Sequence, residues 1–259
     1  MNDRMRGIGL PVVVAALTLL VWELLVRALG VKAVVLPPPS AVARVLFTRS
    51  DLMLEHLWPT FYQIVLGFLI SVGGGILVAV LITYSRIVRN GFYPLIVVSQ
   101  IVPKVAVAPL FVIWFGMGTP SRLLLAFLVA FFPMTINAAH GFQSVDEDTL
   151  RMARAYMGGR WQIFSKIRVP HALPHIFSGM KISITLAVIG VIVAEFVASQ
   201  QGIGYLIKLA SGLLDTPLMM ASIAVLSIAG LVLYGLIALA ERRAVYWQQS
   251  SDISGNASG

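Results

Sequence analysis

The chain has 259 residues, of which 58% are hydrophobic and 12% charged, against about 25% charged in a soluble domain. That balance and a mean hydropathy of +0.89 exclude an ordinary water-soluble fold, and the formal charge of +8, spread between apolar stretches, is no nucleic-acid signature. Cysteine is absent, which excludes a disulfide framework, a thiolate metal site and a cysteine nucleophile.

A membrane crossing needs about 20 apolar helical residues. Six stretches meet that need, at roughly 8–29, 57–83, 92–115, 121–141, 176–199 and 217–240. They predict an all-α polytopic membrane protein with about six transmembrane helices. The first stretch is long for a signal peptide and no small-residue cleavage site follows it, so it reads as a retained span. Within it Glu23 and Arg27 lie one turn apart and can pair. Leu36-Pro-Pro-Pro-Ser40 comes next. Its prolines stiffen the connection, and Ser40 is placed to cap a short helix over 41–47.

In the second stretch Ser71, Gly75 and Ala79 recur every four residues, as Gly190 and Ala194 do in the fifth. Such spacing lets helix backbones approach closely in lipid. Prolines 94, 103, 109 and 133 interrupt the third and fourth stretches, and the carbonyls they free need neighbours or water. Charged and polar groups inside spans are functional candidates. Gln100 and Lys104 in the third stretch, Asn137 with Thr135 in the fourth, and Glu195 late in the fifth form a candidate polar path. Lys104 either lines that path, where it favours an anionic solute, or pairs with a neighbouring helix or snorkels. Glu195 faces either the bundle interior or the outer mouth.

Between the fourth and fifth apolar stretches lies a polar, basic segment, 142–175. Leu150, Ala153, Met157, Trp161, Phe164 and Ile167 recur at helical steps and predict one apolar face. Ser144 and Glu147 fit a capping box at its start. Gly158-Gly159 predicts a break into two short helices, and Pro170 and Pro174 a stop. An amphipathic helix pair of this kind is either a docking element or a connector lying on headgroups. His171 and His175 stand four apart, but with Pro174 between them a metal site is not expected. Gln201-Gly-Ile-Gly204 opens a stretch to 214 that is too short to span and reads as an interfacial or re-entrant helix.

With a cytoplasmic N-terminus, the inner segments hold twelve basic residues: Arg4, Arg6, Arg86, Arg89, Arg151, Arg154, Arg160, Lys166, Arg168, Lys181, Arg242 and Arg243. The outer segments then hold six: Arg27, Lys32, Arg44, Arg49, Arg122 and Lys208. This bias predicts that both termini and the 142–175 segment are cytoplasmic. The whole chain, 1–259, reads as a single transmembrane domain with its core at 57–240 and a polar, frayed tail at 248–259. Asn256-Ala-Ser is a glycosylation pattern that a cytoplasmic tail would not use.

No phosphate loop, H-E-x-x-H or G-x-S-x-G motif occurs. The chain is therefore not expected to be an enzyme or to bind ATP by that device, and transport leads over a membrane enzyme. An ion-gradient-driven carrier is the alternative, although the sequence lacks the internal repeat and the abundant intramembrane carboxylates such a protein would use.

Five further marks belong together: Leu36-Pro-Pro-Pro-Ser-Ala-Val, Trp114-Phe-Gly-Met-Gly, Phe131-Phe-Pro, Arg160-Trp-Gln-Ile-Phe with Val169-Pro-His-Ala-Leu-Pro, and Val193-Ala-Glu195 with Gly202-Ile-Gly-Tyr-Leu206. With them the chain resembles, over about residues 36–247, the permease subunit of bacterial ATP-binding-cassette importers of the nitrate/sulfonate/taurine type. The resemblance implies a type I importer permease fold in a bacterial inner membrane, and a homodimer working with two cytoplasmic ATPases that bind ATP and Mg. It also implies an external solute-binding protein, and no cofactor in this chain. Relatives of this type carry sulfonates, aromatic carboxylates and vitamin or pyrimidine precursors.

The family's coupling motif begins Glu-Ala-Ala, has glycine after three residues, and ends in Ile-x-Leu-Pro. Aligned here, Arg151 stands at the glutamate, Met152 and Ala153 at the alanines and Met157 at the glycine, with Gly158 and Gly159 beside it. Ile167, Val169 and Pro170 keep the distal end. The first half departs from the pattern. The resemblance implies that Arg151, Ala153, Met157, Gly158, Gly159, Trp161, Phe164, Ile167 and Pro170 contact the ATPase.

Overall fold

The structure is a computed structural model that describes residues 2–157 and 159–247, with side chains for 9–156 and 159–247. Among these residues every regular element is helical. Five helices are long and apolar enough to cross a membrane: Gly9–Ala28, Ser50–Tyr84, Thr119–Gln143, Arg160–Ala198 and Thr216–Ala244. The third predicted stretch takes a different form. It consists of α4 (Arg86–Val98), a 3₁₀ turn (Lys104–Val107) and α5 (Ala108–Phe115). Pro103 lacks the N–H that would join them and disfavours helical backbone just before it. Pro109 falls in the first turn of α5, where a missing donor costs nothing.

The chain divides into two compact units, Met1–Pro59 with Gln200–Ser227, and Thr60–Ser199 with Ile228–Gly259. The first unit contains α1 (Asn2–Ala28), α2 (Pro39–Thr48), the start of α3 (Ser50–Tyr84), α10 (Ile203–Gly212) and the start of α11 (Thr216–Ala244). Val42, Met53, Leu206, Ala210, Leu218 and Ala221 form its core. Glu23 pairs with Arg27, and its carboxylate also accepts the Ser40 N–H at 3.0 Å and the Ser40 hydroxyl at 2.8 Å. Ser40 therefore does not cap the helix with its own oxygen. The α2 N-terminus starts at Pro39, which has no N–H to satisfy, and Glu23 supplies the acceptor that favours a helix start. Asp215 holds Arg49 at 2.9 Å and accepts the Leu218 N–H, capping α11. Gly202, at φ +107°, opens α10 in a conformation that L side chains avoid, and its N–H donates to His56 Nδ1 at 3.1 Å.

The second unit is built around α6 (Thr119–Gln143), which packs most extensively on α9 (Val169–Ala198). Small residues set the spacing. A Cβ on Gly190 would lie 2.8 Å from the Ala126 Cα, and one on Gly67 would lie 2.8 Å from the Ala126 Cβ. Ala126 is thus approached by α9 and by α3 at once. Ser183 donates to the Ala130 carbonyl at 2.9 Å and Ser71 to the Phe127 carbonyl at 3.3 Å, so the close contacts also carry interhelical hydrogen bonds. Ala79, Met134, Ala138, Phe142, Ala172 and Ile176 continue this core toward the polar segment.

Candidate functional site

The segment 142–175 forms a helix pair, as the glycine doublet predicts. The first helix, α7 (Glu147–Met157), is followed by α8 (Arg160–Ile163). Gly159 is extended between them, and its N–H is accepted by the Gln162 side chain at 3.4 Å. The Met157 side chain and Gly158 lie outside the described residues.

Three expectations about this segment need correction. Asp146, not Ser144, caps α7: its carboxylate accepts the N–H groups of Asp148 and Thr149 at 3.1 Å, while Ser144 turns back to the Gly141 carbonyl. Pro170 and Pro174 do not stop the second helix. After α8 the chain passes through a π-helical turn, Phe164–Arg168, directly into α9. Pro170 falls in the first turn of α9, and Pro174 forfeits one hydrogen bond that the packing of α9 on α6 offsets. The apolar stripe is also not one face, because the glycine break resets its phase. Leu150, Ala153 and Ile163 close with Val145 and Ile167 into a small buried cluster. Phe164 lies among Tyr84, Phe142 and Trp161, with ring centroids 5.6–5.7 Å away.

What the pair presents outward is Met152, Tyr156 and Trp161, exposed by 62%, 86% and 74%. Arg151 is exposed and balanced by Glu147 at 3.2 Å and Asp148 at 3.5 Å. Arg168 fastens the second helix to the unit's core by donating to the Phe142 carbonyl at 2.8 Å. The pair thus carries exposed aromatic side chains, and its second helix is anchored through Arg168.

The candidate path residues fall in different surroundings. The Lys104 ammonium lies 5.0 Å from the Phe132 ring centre and 3.5 Å from the Gln100 carbonyl, so Gln100, Lys104 and α6 meet at one place. Asn137 donates to the Pro133 carbonyl at 2.8 Å, and its Cβ faces Gly179 of α9. Glu195 is fully buried and accepts the Thr60 hydroxyl at 2.8 Å.

Arg122 lies within the electrostatic reach of Glu195. It is 6% exposed in the first turns of α6, where its Nε donates to the Gly118 carbonyl at 3.2 Å. Its neighbours at helical spacing, Leu125, Ala126 and Val129, are buried, and that period was the available signal. Gln63 is buried in the same unit. Its Oε1 and the Arg122 Nη1 have no hydrogen-bond partner among the described residues.

No group of three or more potential metal ligands occurs among the described residues. His171 and His175 do share a helix, contrary to the break expected at Pro174. His175 packs its ring on His140 at 4.9 Å, and α6 and α9 meet there.

Comparison with known proteins places these features. The family described as "Binding-protein-dependent transport system inner membrane component" matches residues 71–246. The chain is similar to the riboflavin transport system permease protein RibX of Chloroflexus aurantiacus, with 36% identity over 94% of this chain and 91% of the relative. It is similar to the putative aliphatic sulfonates transport permease protein SsuC of Bacillus subtilis, with 33% identity over 95% and 88%. It is also similar to the taurine transport system permease protein TauC of Escherichia coli, with 32% identity over 93% and 90%. With several apolar helices long enough to cross a membrane and a family match over most of its length, the chain belongs to the binding-protein-dependent transport inner-membrane components, the multi-pass permeases of ABC transporters.

Proposed function

We propose that the chain is the translocation subunit of an ATP-driven importer, working as a homodimer with two cytoplasmic ATPases and an external solute-binding protein. The observation that carries this reading is the exposed trio Met152, Tyr156 and Trp161 on a helix pair anchored to α6 and α9. Large exposed aromatics are the residue types that dominate partner docking. One chain offers one such surface, so a two-ATPase engine calls for two copies with C2 symmetry. ATP and Mg are bound by the partner. Closure of the ATPases acts here only if ATP favours the outward-facing state over the inward-facing one. Both termini and the helix pair are cytoplasmic in this reading, following the bias of basic residues. Arg151, Ala153, the Gly158-Gly159 doublet, Phe164, Ile167 and Pro170 then shape the docking element, and Trp161 makes the contact. An ion-gradient-driven carrier has no comparable observation in its favour.

Co-purification tests this directly. Extracted from membranes with the ATPase encoded beside it, the wild-type chain is expected to retain the ATPase, and Tyr156→Ala with Trp161→Ala to lose most of it. Substitution is preferable to removing 147–169, which would delete the buried cluster of Leu150, Ala153 and Ile163. A chain that purifies alone and still transports would overturn the proposal.

The solute is a small polar or anionic organic molecule of the sulfonate, aromatic carboxylate or vitamin-precursor type. Gln100, Lys104 and Asn137 face its path, and Glu195 sets the field of the wall from within. Lys104→Ala is expected to lower uptake of an anionic solute about tenfold, the worth of one charge-assisted contact. Uptake at the wild-type rate would remove Lys104 from the path.

A further inference from the structure

The second unit contains a cavity of about 650 Å³ between the end of α3 and the helix pair. Arg86, Arg154, Arg160 and Arg168 line it, with Thr83 and Tyr84, and among the described residues no acidic side chain does. Among the described residues none of the four arginines is in an ion pair, while Glu147 and Asp148 are engaged with Arg151. Arg168 is held in place by the Phe142 carbonyl at 2.8 Å, with its guanidinium 5.9 Å from the Tyr84 ring. Four guanidinium groups on one cavity repel one another. They form a ready receptor for a polyoxygen anion, because each planar fork matches phosphate geometry.

We propose that this cavity binds a phosphate-bearing anion, and that the anion is the headgroup of an anionic phospholipid. A single carboxylate has too few oxygens to satisfy four forks, whereas phosphodiester and glycerol oxygens offer more. The surface next to the cavity supports the lipid source. Arg86 is the first residue of α4, and Ile87, Phe92 and Leu95 on that helix are exposed by 82%, 61% and 64%. Acyl chains lie along those side chains while the headgroup sits among the arginines. Arg86 stands at the α3–α4 joint, Arg154 on α7, Arg160 on α8 and Arg168 on the π-helical turn. The bound anion therefore ties the helix pair to the end of α3. Its consequence for coupling rests on the docking role proposed above; the binding itself does not.

The test uses the full chain in nanodiscs of phosphatidylcholine, with and without phosphatidylglycerol, and reads retained lipid by native mass spectrometry. Arg86→Ala/Arg154→Ala/Arg160→Ala removes three exposed arginines. Arg89→Ala/Arg242→Ala/Arg243→Ala is the charge-matched control. Phosphatidylglycerol affinity is expected to fall about tenfold or more in the first variant and to stay near wild type in the control. Equal losses in both variants would reduce the effect to general surface charge and overturn the proposal. A second arm adds inorganic phosphate to the pure phosphatidylcholine discs and follows thermal stability. Phosphate protection as strong as that given by phosphatidylglycerol overturns the lipid source, and weak protection abolished by the triple variant supports it. Because no ATPase is present, a failure here leaves the docking proposal untouched, and loss of ATPase docking leaves this one untouched.

Discussion

Glu195→Ala is expected to lower the unfolding free energy of the chain by about 2–4 kcal/mol, the usual cost of leaving a buried hydrogen-bond donor unpaired together with a cavity. Glu195 has no exposed surface, accepts the Thr60 hydroxyl at 2.8 Å and opposes the charge of Arg122, which is 6% exposed. Alanine would remove the acceptor of the Thr60 hydroxyl and leave a void at a fully buried position. Glu195→Gln keeps the volume and an acceptor for Thr60, so its cost should be smaller. The control is Glu241→Ala, which breaks the Lys181–Glu241 pair. That pair is 2.7 Å long with both side chains about one-quarter exposed, and should be worth about 1 kcal/mol or less. Thermal unfolding in detergent reads all three variants. Equal melting temperatures for Glu195→Ala and wild type would show that the network carries no stability.

Trp161→Ala combined with Phe164→Ala is expected to uncouple ATP hydrolysis from uptake, with transport down about 30-fold while the ATPase that remains bound goes on hydrolysing ATP. A central aromatic anchor contributes about 2 kcal/mol or more to docking, and each 1.4 kcal/mol is about tenfold. The two rings have different parts. Trp161 is 74% exposed and makes the contact in the proposed docking. Phe164 sits 5.6 Å from it and braces it against Tyr84 and Phe142. The Trp161→Ala single variant should therefore lose coupling at normal stability, whereas Phe164→Ala should also lower the melting temperature. A normal ratio of solute moved to ATP hydrolysed in the double variant would take the helix pair out of the mechanism.

The helix pair was legible because composition and glycine position are local signals. A basic segment between apolar spans and a Gly158-Gly159 doublet needed no knowledge of distant residues. Its outward face was not legible, since a periodic count across the doublet treats as one helix what the backbone makes two. Pro170 and Pro174 misled for a related reason. Proline rules describe an isolated helix, and here a neighbouring helix and a π-helical turn absorb the lost hydrogen bond. Asp146 and Ser144 are both good capping residues, and spacing alone could not choose between them. The partners of Glu195 were out of reach altogether, because Thr60 lies 135 positions away. Arg122 could have been found: Thr119-Pro120 looks like a boundary, yet 122, 125, 126 and 129 already form one stripe.

The unbroken helical run from Arg160 to Ala198 comprises 39 residues, a rod of about 58 Å at 1.5 Å per residue. Such a rod acts as a lever whose short arm carries Trp161 and whose long arm ends beside Glu195. Tilting the 30-residue α9, about 45 Å long, by about 5° displaces its far end by about 4 Å. The one softened joint is the π-helical turn with the prolines just after it, where wider hydrogen-bond rings and a missing donor lower the resistance to bending. If a partner docks on the helix pair as proposed, force applied there is delivered as rotation at the opposite end of α9, and the stiffness of a few residues around Phe164 sets the gear ratio.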